Sequence, residues 1–234
     1  MAGSDHPGPL IGVGRSADVY AIGADRVLRR YREPLDVQAE AAIMRYLDEA
    51  GFPVPKVYDA DGTDLVMERL DGRDMLLDLA RRPWLARRHA RLLADMHNRL
   101  HRIAAPPGLA APVGAGDTVL HLHLHPGNIM LTSRGPVVID WSNHAVGPAG
   151  ADVAMAYLIM ACSEVDRLPL LIRPIVGLIR TIVLRVFLRG VLDDPVPYIA
   201  AAARHRIADR NVRPSEVEWL ARKAAEADEA AAAS

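Results

Sequence analysis

The chain has 234 residues, 50% of them hydrophobic, with 28 basic and 29 acidic side chains and a formal net charge of −1. That length suits one large domain or two lobes sharing a cleft, and near neutrality argues against a general nucleic-acid binder, which needs a basic surplus for its phosphate contacts. A single cysteine, Cys162, excludes an internal disulfide framework and fits a reducing compartment. The N-terminal stretch MAGSDHPGPLIGVG has neither the basic region nor the apolar core of a secretory signal, so a soluble, cytoplasmic protein is expected.

Residues 9–31 read as strand, turn and strand, with glycines at 12 and 14, a turn at Gly23-Ala24-Asp25, and RVLRRY as the next strand. DVQAEAAIMRYLDEAG follows, with Ala39, Ile43, Tyr46 and Leu47 at helical spacing, Asp36 as N-cap and Gly51 as stop. In PVPKVYDADGTDLVMERLDG two apolar runs flank an Asp-Gly turn, which predicts a hairpin. WLARRHARLLADMHNRLHRI, residues 84–103, is an amphipathic helix with Leu85, Leu92, Leu93, Met96, Leu100 and Ile103 on one side and arginines opposite.

PPGLAAPVGAG is a loop, residues 119–141 alternate short apolar runs with turns, and the remainder from Asp152 is helical in composition. Its alanine- and acid-rich end is expected to fray. LPLLIRPIVGLIRTIVLRVFLRGVL, residues 168–192, could be mistaken for a membrane span. Arg173, Arg180, Arg185 and Arg189 interrupt it, so a largely buried helix after Pro174 is expected, with no membrane insertion. A strand-rich first part therefore precedes a helix-rich second part, an α+β pattern dividing into an N-lobe at 1–68 and a helical C-lobe at 69–234.

Residues 121–128 read HLHLHPGN. On an extended chain His121, His123 and His125 would share one face, the arrangement of a zinc or iron site. The order of motifs along the chain points elsewhere. A glycine loop comes first, then a basic strand residue, a helix glutamate, the connector LVMERLDG, His-x-x-x-x-Pro-Gly-Asn, and VVIDW. Together these resemble the aminoglycoside phosphotransferase and choline kinase-like superfamily, relatives of protein kinases, over roughly residues 10–157.

The resemblance implies a two-lobed protein-kinase-like fold and ATP-dependent transfer of phosphate to a hydroxyl of a small molecule, with ATP and Mg²⁺ as cofactors. Gly12 and Gly14 would let backbone N–H groups approach the phosphates, and Ser16 would add a hydroxyl. Arg29, where the family usually has Lys, would pair with the α/β-phosphates and with Glu40; Arg30 points to the other strand face. Backbone groups of Glu68 and Leu70 would read the adenine edge. Asp140 and Asn128 would be the oxygen ligands of Mg²⁺. Asp152 would buttress the catalytic loop, and His97 matches a helix histidine that packs.

The chain departs from the family at one position. The family loop reads His-Gly-Asp-Leu-His-Pro-Gly-Asn, and His123 stands where the Asp that serves the acceptor hydroxyl is expected. Histidine is a competent general base near neutral pH, but imidazole is bulkier than carboxylate and brings no negative charge. Three functions stay open here: a small-molecule kinase with His123 as base, a nucleotide-binding pseudokinase, and a metal-dependent hydrolase or oxygenase built on the three histidines. From residue 153 onward there are 11 basic and 10 acidic side chains, which gives no acidic trough for a polycationic sugar. A neutral or anionic hydroxylated acceptor is expected.

Overall fold

The computed structural model describes residues 8–14, 16–33, 36–162, 169–209 and 212–233. Strands β1 (Leu10–Val13), β2 (Ala17–Ile22) and β3 (Arg26–Tyr31) run antiparallel, and β3 also pairs with β5 (Asp64–Glu68), itself the partner of β4 (Val57–Asp61). The five-stranded sheet has the order β1-β2-β3-β5-β4. Helix α1 (Val37–Glu49) lies between β3 and β4 in the chain. It begins where the Asp36 side chain accepts the Ala39 N–H at 3.0 Å, and it ends as Gly51 turns left-handed at φ +76°.

Contacts divide the chain into two compact units, one made of Met1–Arg73 with Ile129–Ser142, the other of Asp74–Asn128 with Asn143–Ser234. The boundary expected at 68/69 thus falls a few residues later, and a second segment joins the first unit. That segment carries the hairpin of β8 (Ile129–Thr132) and β9 (Gly135–Val138), tied in where the Val138 N–H donates to the Pro53 carbonyl at 2.9 Å. Trp141 follows, fully buried with its ring edge-on to Phe52. Val27, Leu28, Met44, Leu47 and Leu65 complete this core.

A two-residue strand, β6 (Arg73–Asp74), marks the passage to the second unit. There follow α2 (Met75–Arg81), capped by Asp74, then α3 (Ala86–Leu100) and β7 (Thr118–Leu120), which pairs with β10 (Ala145–Gly147). Helices α4 (Ala149–Ala161), α5 (Arg173–Gly190), α6 (Ile199–Ala208) and α7 (Pro214–Ala232) complete it. α4 is apolar all round and buried on nearly every side, as a helix of that composition must be. Leu120, Met155, Leu158, Ala203 and Leu220 belong to its core.

Two expectations need correcting. The helix after Pro174 forms, but of its residues only Val183 and Phe187 are buried, while Leu171 just before it is 91% exposed and Ile175 and Leu178 are also exposed. Apolar composition says what could be buried, not what neighbours are present. α5 meets α3 and α4, which cover only part of it. The alanine-rich end does not fray early: it continues as helix to Ala232, consistent with the high helix propensity of alanine. No helix among the described residues is long and apolar enough to cross a membrane.

Candidate active site

In the first unit, strand alternation sends Arg29 and Arg30 to opposite sides. Arg30 forks onto Asp64 across the β3–β5 pair, at 2.7 and 2.6 Å. Arg29 reaches Glu40 on α1 at 3.1 Å and also bonds Asp140. Glu40 is 1% exposed, and besides Arg29 it accepts from the Tyr31 hydroxyl and from the Trp141 backbone N–H at 3.1 Å. Burial pushes its carboxyl upward, opposed first by the Arg29 cation. Burial works against charge on Arg29 as well, but Asp140 and then Glu40 outweigh it and hold the guanidinium protonated. Asp140 itself sits at φ +68°, a left-handed backbone that an Asp tolerates, and its Oδ1 also accepts from the Ser142 hydroxyl at 3.2 Å.

In the second unit, HLHLHPGN is not a strand: β7 ends at Leu120 and Leu122 turns left-handed at φ +55°. The alternation that would align three imidazoles is therefore broken at its second residue. His121 is buried, and its Nδ1 accepts the His123 N–H at 3.2 Å; His125 Nδ1 accepts the Gly127 N–H at 3.1 Å. The Asn128 Nδ2 donates to the His123 carbonyl at 2.9 Å, which leaves Oδ1 as the amide's acceptor. The His123 ring packs against that of His125, centroids 4.9 Å apart.

Asp152, buried on α4, supports this loop. Its Oδ1 accepts the Leu122 N–H at 2.6 Å and its Oδ2 meets His101 Nε2 at 3.2 Å; His101 Nδ1 in turn meets Asp193 at 2.8 Å. Burial pulls the His101 imidazole down, but its bonds to Asp152 and Asp193 prevail and raise its pKa to about 9. It is thus an imidazolium donating to two carboxylates, and Asp152 stays well below the usual carboxylate range although burial alone would raise it. His97, fully buried, is pulled down to about 4 and is neutral; its Nε2 donates to the Leu124 carbonyl at 3.2 Å. Its Nδ1 lies 3.7 Å from Asp152, too far for a hydrogen bond and without the charge for an ion pair.

Among the described residues, His97, His101 and Asp152 are the one trio with ligand atoms close enough for a metal ion. These atoms are engaged with one another as a hydrogen-bond network, both ring nitrogens of His101 meeting carboxylates. His121, His123 and His125 form no such trio.

The remaining expected residues lie in the first unit. The Gly14 N–H donates to the Ala17 carbonyl at 2.8 Å, closing the turn on itself, so this amide is not available to a phosphate; Gly12 is half-buried in β1 and Ser16 is exposed. The Glu68 N–H is likewise engaged, with the Lys56 carbonyl at 2.8 Å, and its side chain accepts from Arg134 at 2.8 Å. Leu70 follows β5, half-buried. Sequence reasoning passed over Tyr31, the Trp141 amide, His101 and Asp193. Tyr31 was within reach, since it shares the face of Arg29 two residues on. Asp193 was not, being 92 residues from its partner.

No curated protein matches the chain by sequence. Solved structures share its fold at low identity. An apo aminoglycoside phosphotransferase, APH(4)-Ia in a thermostable mutant form, is 14% identical with a TM-score of 0.62, covering 97% of this chain and 95% of that chain. A Plasmodium vivax ethanolamine kinase is 12% identical with a TM-score of 0.60, covering 94% and 81%. A choline/ethanolamine kinase family protein from Mesorhizobium loti is 14% identical with a TM-score of 0.56, covering 97% and 89%. The fold is thus the two-lobed, protein-kinase-like α+β class. The model of the phosphotransferase enzyme family matches residues 8–117 and 109–175, and the chain belongs to that family.

Proposed function

We propose that the protein transfers the γ-phosphate of ATP to a hydroxyl of a small molecule, with His123 as the base. The observation that carries this reading is the Arg29 guanidinium held between Glu40 and Asp140. A strand cation, a helix acid and the carboxylate after a short apolar strand converge although Glu40 and Asp140 lie 11 and 111 residues from Arg29 in the chain. Phosphoryl transfer does need such a set: a fixed cation against phosphate charge and a fixed carboxylate for a metal ion.

In this reading Arg29 meets the α/β-phosphates, and Glu40 holds it in place. The Glu68 carbonyl and Leu70 amide take the adenine edge, narrowed to these because the Glu68 N–H is engaged. Ser16 and Gly12 contribute to the phosphate loop without the Gly14 amide. Asp140 and Asn128 are the oxygen ligands of Mg²⁺; a carboxylate and an amide oxygen are the hard donors that ion prefers, so the donor chemistry fits. Mg²⁺ when bound neutralises phosphate charge. The acceptor oxygen bonds the γ-phosphorus as the bond to the β–γ bridging oxygen breaks, the hydroxyl proton passes to His123, and ADP leaves.

Activity is tested by ATP consumption over a panel of hydroxylated small molecules, comparing the natural chain with His123→Ala and His123→Asp. A working base predicts that both substitutions lower acceptor-dependent turnover, His123→Ala by roughly 10²–10⁴-fold. The engaged Gly14 amide favours a second reading, a nucleotide-binding protein with little transfer. A gain of orders of magnitude in His123→Asp, or stabilisation by Mg·ATP without turnover on any acceptor, would decide for it.

A further inference from the structure

Within the second unit lies a cavity of about 360 Å³. Helices α2, α4 and α5 wall it with aliphatic side chains, including Leu79, Met160 and Ile179, and His125 and Pro126 of the catalytic loop complete it. Its volume is in the range of small-molecule sites. Leu76, which also lines it, is 54% exposed, so the cavity has a mouth. Among the described residues, His125 and Arg180 are its only ionisable wall residues, and no carboxylate lines it.

We infer that this cavity takes the apolar body of a hydroxylated ligand, and, resting on the phosphotransferase reading, that this ligand is the acceptor: a neutral apolar alcohol. Two features carry the assignment. The described wall residues offer almost nothing for a sugar's hydroxyls or a polyamine to bond, and leaving those groups unpaired would cost far more than the apolar contact returns. The cavity also adjoins the proposed chemistry: its wall residue His125 is in ring contact with His123, the residue proposed to receive the hydroxyl proton. An alcohol with its chain among Leu79, Met160 and Ile179 leaves its polar end for the loop side, where His125 stands. Transfer then gives a phosphate monoester of that alcohol and ADP.

Binding and transfer are measured separately on the full chain, with 1-octanol and geraniol as apolar probes and glycerol and kanamycin as polar ones. Ligand binding is followed by methyl NMR at Met160 and Ile179, and transfer by ADP release. The apolar alcohols are expected to shift both methyl signals, and Ile179→Trp, read at Met160, to weaken their binding by at least about tenfold by filling the space. Val176→Phe, at a half-buried wall position, is the second variant should the first not fold, and far-UV circular dichroism checks both. No shift with either apolar alcohol overturns the inference, as does binding indifferent to both substitutions; phosphorylation of glycerol or kanamycin would then leave the phosphotransferase reading standing. Apolar alcohols bound in the cavity with no ADP from any acceptor uphold the ligand class and overturn the phosphotransferase reading, together with the acceptor role that rests on it.

Discussion

Asp152 accepts the backbone N–H of Leu122 at 2.6 Å, joining a fully buried helix carboxylate to the leucine at which the HLHLHPGN loop turns left-handed. Asp152→Ala leaves that amide unpaired and strips His101 of one of its two anions. A loss of about 3–5 kcal/mol in urea unfolding is expected. Asp152→Asn keeps an acceptor for Leu122 and should lose distinctly less; equal losses would mean that the hydrogen bond contributes nothing.

His101 makes stability depend on pH in a defined direction. Its folded pKa of about 9 lies above the unfolded value near 6.5. Below the unfolded value both states hold the proton and the full contribution is present. As pH rises the unfolded chain loses the proton first, so the contribution falls through this window and is gone above the folded pKa. It is on the order of 3 kcal/mol. Urea midpoints at the two ends of the window should differ for the natural chain more than for His101→Gln.

Apart from the family resemblance that pairs it with Arg29, Glu40 has the pattern of any helix glutamate, for which substitution typically changes stability by less than about 0.5 kcal/mol. Buried with three donors on it, it is expected to behave otherwise. Glu40→Ala leaves Arg29, the Tyr31 hydroxyl and the Trp141 amide without it, and should destabilise by about 3–5 kcal/mol. Arg29→Lys keeps the charge but loses the fork, and should weaken AMP-PNP binding while leaving the fold intact by circular dichroism.

Gly72 has φ +90°, and a Cβ there would stand 2.0 Å from the Leu131 carbonyl oxygen. Strain and collision act together, against backbone that has little room to retreat. Gly72→Ala should cost at least about 3 kcal/mol in thermal or urea unfolding, whereas Gly62→Ala, with open space around it, should cost only its φ strain.

The ligand roles proposed for Asp140 and Asn128 predict that AMP-PNP raises the melting temperature with Mg²⁺ and much less with EDTA. Asp140→Asn should abolish the metal-dependent part of the shift. An undiminished shift in that variant would remove Asp140 from the metal-binding role.

Much of this was legible because its causes are local. The period of two on β3 separates Arg29 from Arg30, Asp36 caps α1, and Gly51 ends it, each through geometry within a few residues. The rest depended on distance. Nothing near His101 announces Asp193, and nothing near Gly14 says that its amide closes onto Ala17 rather than facing outward. α5 shows the same limit in reverse: its composition states an appetite for burial, and only the packing of α3 and α4 decides how much is met.

Trp141 gives the molecule a built-in lamp. It is fully enclosed, its indole N–H donating to the Val138 carbonyl and its amide resting on Glu40, and it adjoins Asp140 in the chain. The other two tryptophans differ: Trp84 is 75% exposed and Trp219 half-buried. Iodide should therefore darken Trp84 first and leave a blue-shifted residue of emission from Trp141. Whatever docks at Asp140 changes the colour or brightness of that remainder, so occupancy is readable by fluorescence without a label.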